Sequence, residues 1–75
     1  MINDFNVQNR TRGTWTMYTF PQNAANTPSA SSSGYLFMYT AHDSADWGGQ
    51  IAFYNGHIKS RALNNGVYGS WETVI

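Results

Sequence analysis

The chain has 75 residues, no cysteine and a formal net charge of zero, with four basic and four acidic side chains. That length allows one domain with a thin core and no disulfide to staple it. The balanced charge argues against a nucleic-acid footprint, which would need clustered Lys and Arg.

Aromatic residues make up 16% of the chain and charged residues 11%, so many large side chains need cover and few charges keep the surface solvated. A small unstapled domain of this kind is expected to place part of its aromatic set in a subunit interface. No basic segment precedes an apolar run, so no signal peptide is visible. The longest apolar run, residues 35–39, is too short to span a membrane. Residue 75 ends a strand-like run, so the chain reads as one domain, 1–75, of a longer protein.

Residues 1–13 are polar apart from Phe5 and Val7 and predict an irregular entry segment or one helical turn capped by Asn3 or Asp4. Residues 14–20 alternate as a strand, with Trp15 and Met17 on one face and Tyr18 and Phe20 on the other. Pro21 ends it. Residues 22–34 form a long small-residue loop, expected to cross a sheet edge or lie against a neighbour. Residues 34–40 read as a central strand with Tyr35, Phe37 and Tyr39 on one side and Leu36 and Met38 on the other. Both sides are apolar, so both are expected to be covered, the second most simply by another subunit. Residues 41–49 read as a turn with Trp47 at its tip.

Asn55-Gly56 predicts a two-residue hairpin, because a type I′ turn needs positive φ at both central positions. The register follows: Tyr54 faces His57, Ala52 faces Lys59 and Gln50 faces Arg61. Ile51, Phe53 and Ile58 are then expected on the core face. Gln50, Tyr54, His57, Lys59 and Arg61 are expected on an exposed polar face. Asn64-Asn65-Gly66 is a second turn. Residues 67–75 read as a last strand with Trp71, Thr73 and Ile75 on one face. No stretch shows sustained helical periodicity. The fold class is therefore all-β, about five antiparallel strands in a small sheet or sandwich.

Taken in order, several of these residues resemble the knob domain of pyocin and bacteriophage tail fibres. They are Asp4-Phe5-Asn6, Gly13 before an aromatic strand, and Asn26-Thr27-Pro28 ahead of the Gly34-led apolar strand. Gln50-Ile51, Ile58 with Arg61, the turn at residues 64–66 and Trp71 complete the set. The family closes with two tryptophans three apart and then an apolar residue; here Tyr68 holds the first position. The resemblance implies a homotrimeric module of a virion tail fibre or tailspike, made in the host cytoplasm and used in adsorption. The implied partners are further copies of the chain and a bacterial surface glycan such as lipopolysaccharide or capsule. Trp15, Tyr35, Phe37, Tyr39 and Trp71 are then the expected core and trimer interface.

For a glycan, the candidate contacts are Trp47, Tyr54, His57, Gln50 and Arg61. Sugar rings stack their C–H faces on aromatic side chains and hydrogen-bond to planar amides and guanidinium groups. The alternative for Gln50 and Arg61 is a cross-strand polar pair, and for Trp47 a lid over the sheet edge. His42, Asp43 and Asp46 offer too few ligands for calcium or zinc and read as turn-capping groups. No catalytic constellation, cofactor motif or metal site is evident. Two other readings remain: a trimerisation module that binds nothing, and a carbohydrate-binding module attached to a glycosidase.

Overall fold

Two Asn-Gly pairs shape the C-terminal half. Asn55 and Gly56 have φ of 48° and 76°, and Asn65 and Gly66 have 52° and 80°. Positive φ at both central residues is what a type I′ turn demands, and its twist matches that of the flanking strands. In the computed structural model, which describes residues 1–75, these turns join β3 (Ser44–Tyr54) to β4 (His57–Asn64) and β4 to β5 (Val67–Tyr68). Upstream lie β1 (Trp15–Phe20) and β2 (Gly34–Ala41); downstream lies β6 (Glu72–Thr73). The strands form one antiparallel sheet in the order β1-β2-β3-β4-β5, and β6 pairs with β4 beside β5. The all-β expectation holds, as a single sheet without a second facing one.

The inner face of the sheet carries the core. Phe20, Leu36, Ala52 and Tyr54 pack there with Phe5 and Ala24, which come from the segments before β1 and β2. The rings of Phe5 and Phe20 meet edge to face at 4.7 Å. Residues 1–13 are irregular and run across this face. They are joined to the loop after β1 by hydrogen bonds from Phe5 N–H to the Ala25 carbonyl, 3.0 Å, and from Ala25 N–H to the Asn3 carbonyl, 2.8 Å. The long loop therefore covers its own sheet. Only 13 of 75 residues are buried, the thin core expected of a chain this short.

Three expectations are corrected. The core face of the hairpin is the one with Gln50, Ala52, Tyr54 and Arg61, whereas Phe53 is exposed and Ile51 and Ile58 are half-buried. The polar side chains turn inward because residues 1–13 bring hydrogen-bond partners to them, and a satisfied polar group is no bar to burial. Within the single chain the central strand β2 is covered on one face: Leu36 and Met38 are buried, while Tyr35 and Tyr39 are exposed on the face expected to meet another subunit. Trp47 lies within β3, because the β2–β3 turn is confined to residues 42 and 43. A register shift between Thr40 and Ala41 accommodates that tight turn, and Gly48 packs where any Cβ would collide with the Tyr39 carbonyl. Residues 67–75 form two short strands instead of one, broken after Gly69 N–H bonds the Ala62 carbonyl at 2.9 Å.

Two glycines separate conformational from steric cost. Gly56 has φ of 76° and open space around it, so Gly56→Ala is expected to cost about 1 kcal/mol. At Gly34 a Cβ would collide with the Phe53 carbonyl across the β2–β3 pairing, so Gly34→Ala is expected to abolish the cooperative transition. Urea unfolding of the two variants checks the order; equal losses would contradict it.

Candidate functional site

The β3–β4 hairpin has the register its turn dictates: Tyr54↔His57, Phe53↔Ile58, Ala52↔Lys59, Ile51↔Ser60 and Gln50↔Arg61. That register sets Gln50 and Arg61 side by side on the inner face, where Gln50 is 1% and Arg61 8% exposed. Arg61 Nε donates to Gln50 Oε1 at 2.8 Å, and Gln50 Nε2 donates to the Phe5 carbonyl at 2.6 Å. Arg61 Nη2 donates to the same carbonyl at 3.0 Å and to Asn6 Oδ1 at 2.9 Å. The guanidinium also lies between the rings of Tyr68 and Trp71, at 4.4 and 4.7 Å from their centroids. No carboxylate contacts it; the one ion pair of the chain joins Arg10 to Asp46 at 3.2 Å. Burial depresses the Arg61 pKa, opposed by Tyr68 and Asp4, and burial raises that of Tyr68, whose hydroxyl donates to the Val7 carbonyl at 2.8 Å. These groups form a clamp on residues 5–7.

The predicted glycan contacts are therefore not assembled. Gln50 and Arg61 form the cross-strand pair and are enclosed by the chain itself. Tyr54 is 8% exposed and belongs to the core. His57 is exposed beside it, with ring centroids 5.4 Å apart. Trp47, 48% exposed, is seven residues from Tyr54 along β3, roughly 23 Å at the rise of a strand. Strand alternation places it on the opposite face. Asp46 is held by Arg10, and its backbone N–H is capped by Ser44 Oγ at 3.2 Å. His42, Asp43 and Asp46 do not form a group that could hold a metal ion.

A different set is brought together on the outer face. The register pairs Trp15 with Tyr39, Met17 with Phe37, Phe37 with Ile51 and Tyr35 with Phe53. The ring of Phe37 lies 5.8 Å from that of Trp15 and 6.3 Å from that of Tyr39. Trp15 is 69%, Tyr35 55%, Met17 50% and Tyr39 44% exposed. Of the five aromatic residues expected in a core or interface, Trp15, Tyr35, Phe37 and Tyr39 share this face. Trp71 does not: it packs against Phe5 at 5.9 Å and donates from Nε1 to the Asn26 carbonyl at 3.1 Å. Met17, Ile51 and Phe53 complete the outer patch. Sequence reasoning missed that, although the absence of charge at alternate positions of all three strands is its signal.

Compared with protein-family models, curated proteins and solved structures, the chain gives no match. None of the three therefore supports the expected resemblance to tail-fibre knobs.

Two outcomes follow from the clamp. Arg61→Ala leaves Gln50 Oε1 and Asn6 Oδ1 without their donor and is expected to cost about 3 kcal/mol in chemical denaturation. Arg61→Lys should recover less than half of this, because an ammonium cannot reproduce the planar fork between two rings. Full recovery by Lys would contradict the clamp. The second outcome concerns Asp4. Its carboxylate accepts from the Asn26 amide at 2.8 Å and from Asn6 N–H at 2.9 Å, and both hold its pKa below 3.8. A depressed carboxyl pKa stabilises the fold above the unfolded value, and that contribution disappears as pH falls through the folded value. Asn26→Ala is expected to shrink the loss of stability on acidification below pH 3.8, measured as melting temperature against pH.

Proposed function

We propose that the chain is a homotrimeric β-module of a bacteriophage-type tail fibre or tailspike, packing the outer face of its sheet against two further copies. The observation that carries this is the uncharged aromatic surface of β1–β3. At roughly 200 Å² per aromatic side chain, Trp15, Tyr35, Tyr39 and Phe53 alone present about 400 Å² to solvent in one chain. Met17, Phe37 and Ile51 extend the patch toward the upper end of what a monomer ordinarily exposes, roughly 300–600 Å². A thin core beneath and a large apolar face above are the two halves of one requirement for association. The order of knob-like residues favours the tail-fibre setting, in which the assembled fibre adsorbs to bacterial surface glycan.

Because Gln50, Tyr54 and Arg61 are enclosed, a glycan contact of the fibre does not run through them. That observation favours a second reading, in which the module trimerises and leaves receptor contact to other parts of the fibre.

Sedimentation equilibrium at micromolar concentration is expected to return three times the 8.4 kDa chain mass. Phe37→Glu, at the centre of the patch, should give a folded monomer by circular dichroism. Loss of one central aromatic anchor is expected to weaken association by roughly 100-fold. A monomer mass for the unaltered chain across the micromolar range would overturn the proposal.

A further inference from the structure

On the inner side of the sheet, the N-terminal segment stands off from β1 and β2 and leaves a cavity of about 210 Å³. Its lining includes Val7, Asn9, Arg10, Thr16, Tyr18 and Met38. Such a volume is smaller than the roughly 300 Å³ at which sites for drug-sized ligands begin, and many times the ~30 Å³ of a water molecule. It suits a single six-membered ring.

The lining chemistry narrows the class of ligand. Arg10 brings no free positive charge, because its guanidinium donates to the Ala45 carbonyl at 2.7 Å, to the Val7 carbonyl at 2.8 Å and to the Asp46 carboxylate at 3.2 Å. An anion therefore has no uncompensated partner there. The hydroxyls of Thr14 and Thr40 are likewise occupied, each donating to the Thr11 carbonyl at 2.6 Å. The Tyr18 and Thr16 hydroxyls and the Asn9 side-chain amide make no hydrogen bond within the chain; Thr16 and Asn9 are exposed and Tyr18 is half-buried with its hydroxyl open to solvent. Each of these three groups can both donate and accept. Val7, Met38 and the Tyr18 ring supply an apolar side. Neutral two-way hydrogen-bonding groups around an apolar wall match a ligand with hydroxyls on its rim and C–H groups on its face.

We propose that this cavity binds one neutral polyhydroxylated ring, a pyranose unit. The site is built from one chain and, Tyr39 apart, its lining comes from residues 7–14 and from the strand positions opposite the aromatic patch. It therefore stays open when copies pack through that patch, and it stands or falls separately from the trimer.

The test is a ¹H–¹⁵N NMR titration of the 75-residue chain with the methyl glycosides of glucose, galactose and mannose, with sulfate and cyclohexanol as controls. At least one glycoside is expected to give saturable shifts at the amides of residues 9–11 and 16–18, with neither control doing so. Tyr18→Phe and Asn9→Ala, both altering solvent-reached groups, should each weaken that binding about five-fold, the worth of one hydrogen bond, while leaving the remaining spectrum in place. Absence of saturable shifts at these amides with all three glycosides overturns the proposal. Equal shifts from sulfate or cyclohexanol, or glycoside shifts centred on residues 47 or 57, also overturn it. A change in sedimentation mass bears on the trimer alone.

Discussion

The guanidinium of Arg61 ties the two halves of this small fold together. It is set by β4, braced by Gln50 of β3, held between the rings of Tyr68 and Trp71, and directed at the backbone of Phe5 and Asn6. A buried cation without a carboxylate is costly unless its donors are matched. Here carbonyl and amide oxygens supply the match and two π faces supply the rest. The consequence is a sheet whose inner face is partly polar and whose covering layer is irregular chain. Phe5 can enter the core as the largest fully buried side chain because its own carbonyl is engaged by the clamp.

Closing the sheet on that side decides what remains on the other. Strand alternation gives β1, β2 and β3 two faces each, and once Phe20, Leu36, Met38 and Ala52 are committed inward, Trp15, Met17, Tyr35, Phe37, Tyr39 and Phe53 have nowhere in the chain to go. Irregular chain long enough to cover one face has already been used. The apolar face is therefore a direct result of how the polar clamp folds the N-terminal segment, and an oligomer is the economical way to cover it.

Local features of the fold were legible in the sequence. Asn55-Gly56 specified a hairpin and its register residue by residue, and the alternation in residues 14–20 and 34–40 sorted their side chains correctly between two faces. Which face of the hairpin turns inward was not legible, because the answer depends on contacts between Phe5 and residues 45 and 56 positions away. Polar-outward is the reasonable reading of an isolated hairpin, and it failed where distant backbone supplied the missing partners. Trp47 was misplaced for a related reason: Asp, Ser and Gly around it carry turn chemistry, yet a register shift compresses the turn into residues 42 and 43. Trp71, expected in the core or interface, packs against Phe5 at the edge of the core, apart from the other four aromatics.

The central claim is that the aromatic face is outward in each chain and covered by other copies. Met17 and Met38 report on it with the same chemistry from neighbouring strands, one 50% and the other 6% exposed in the single chain. Peroxide oxidation of each methionine, followed by mass spectrometry over a dilution series, is the most direct measurement. Met17 is predicted to oxidise quickly in dilute solution and to become protected as concentration rises, while Met38 stays slow throughout. Oxidation of Met17 that does not change with concentration, or Met38 reacting faster than Met17, would contradict the account.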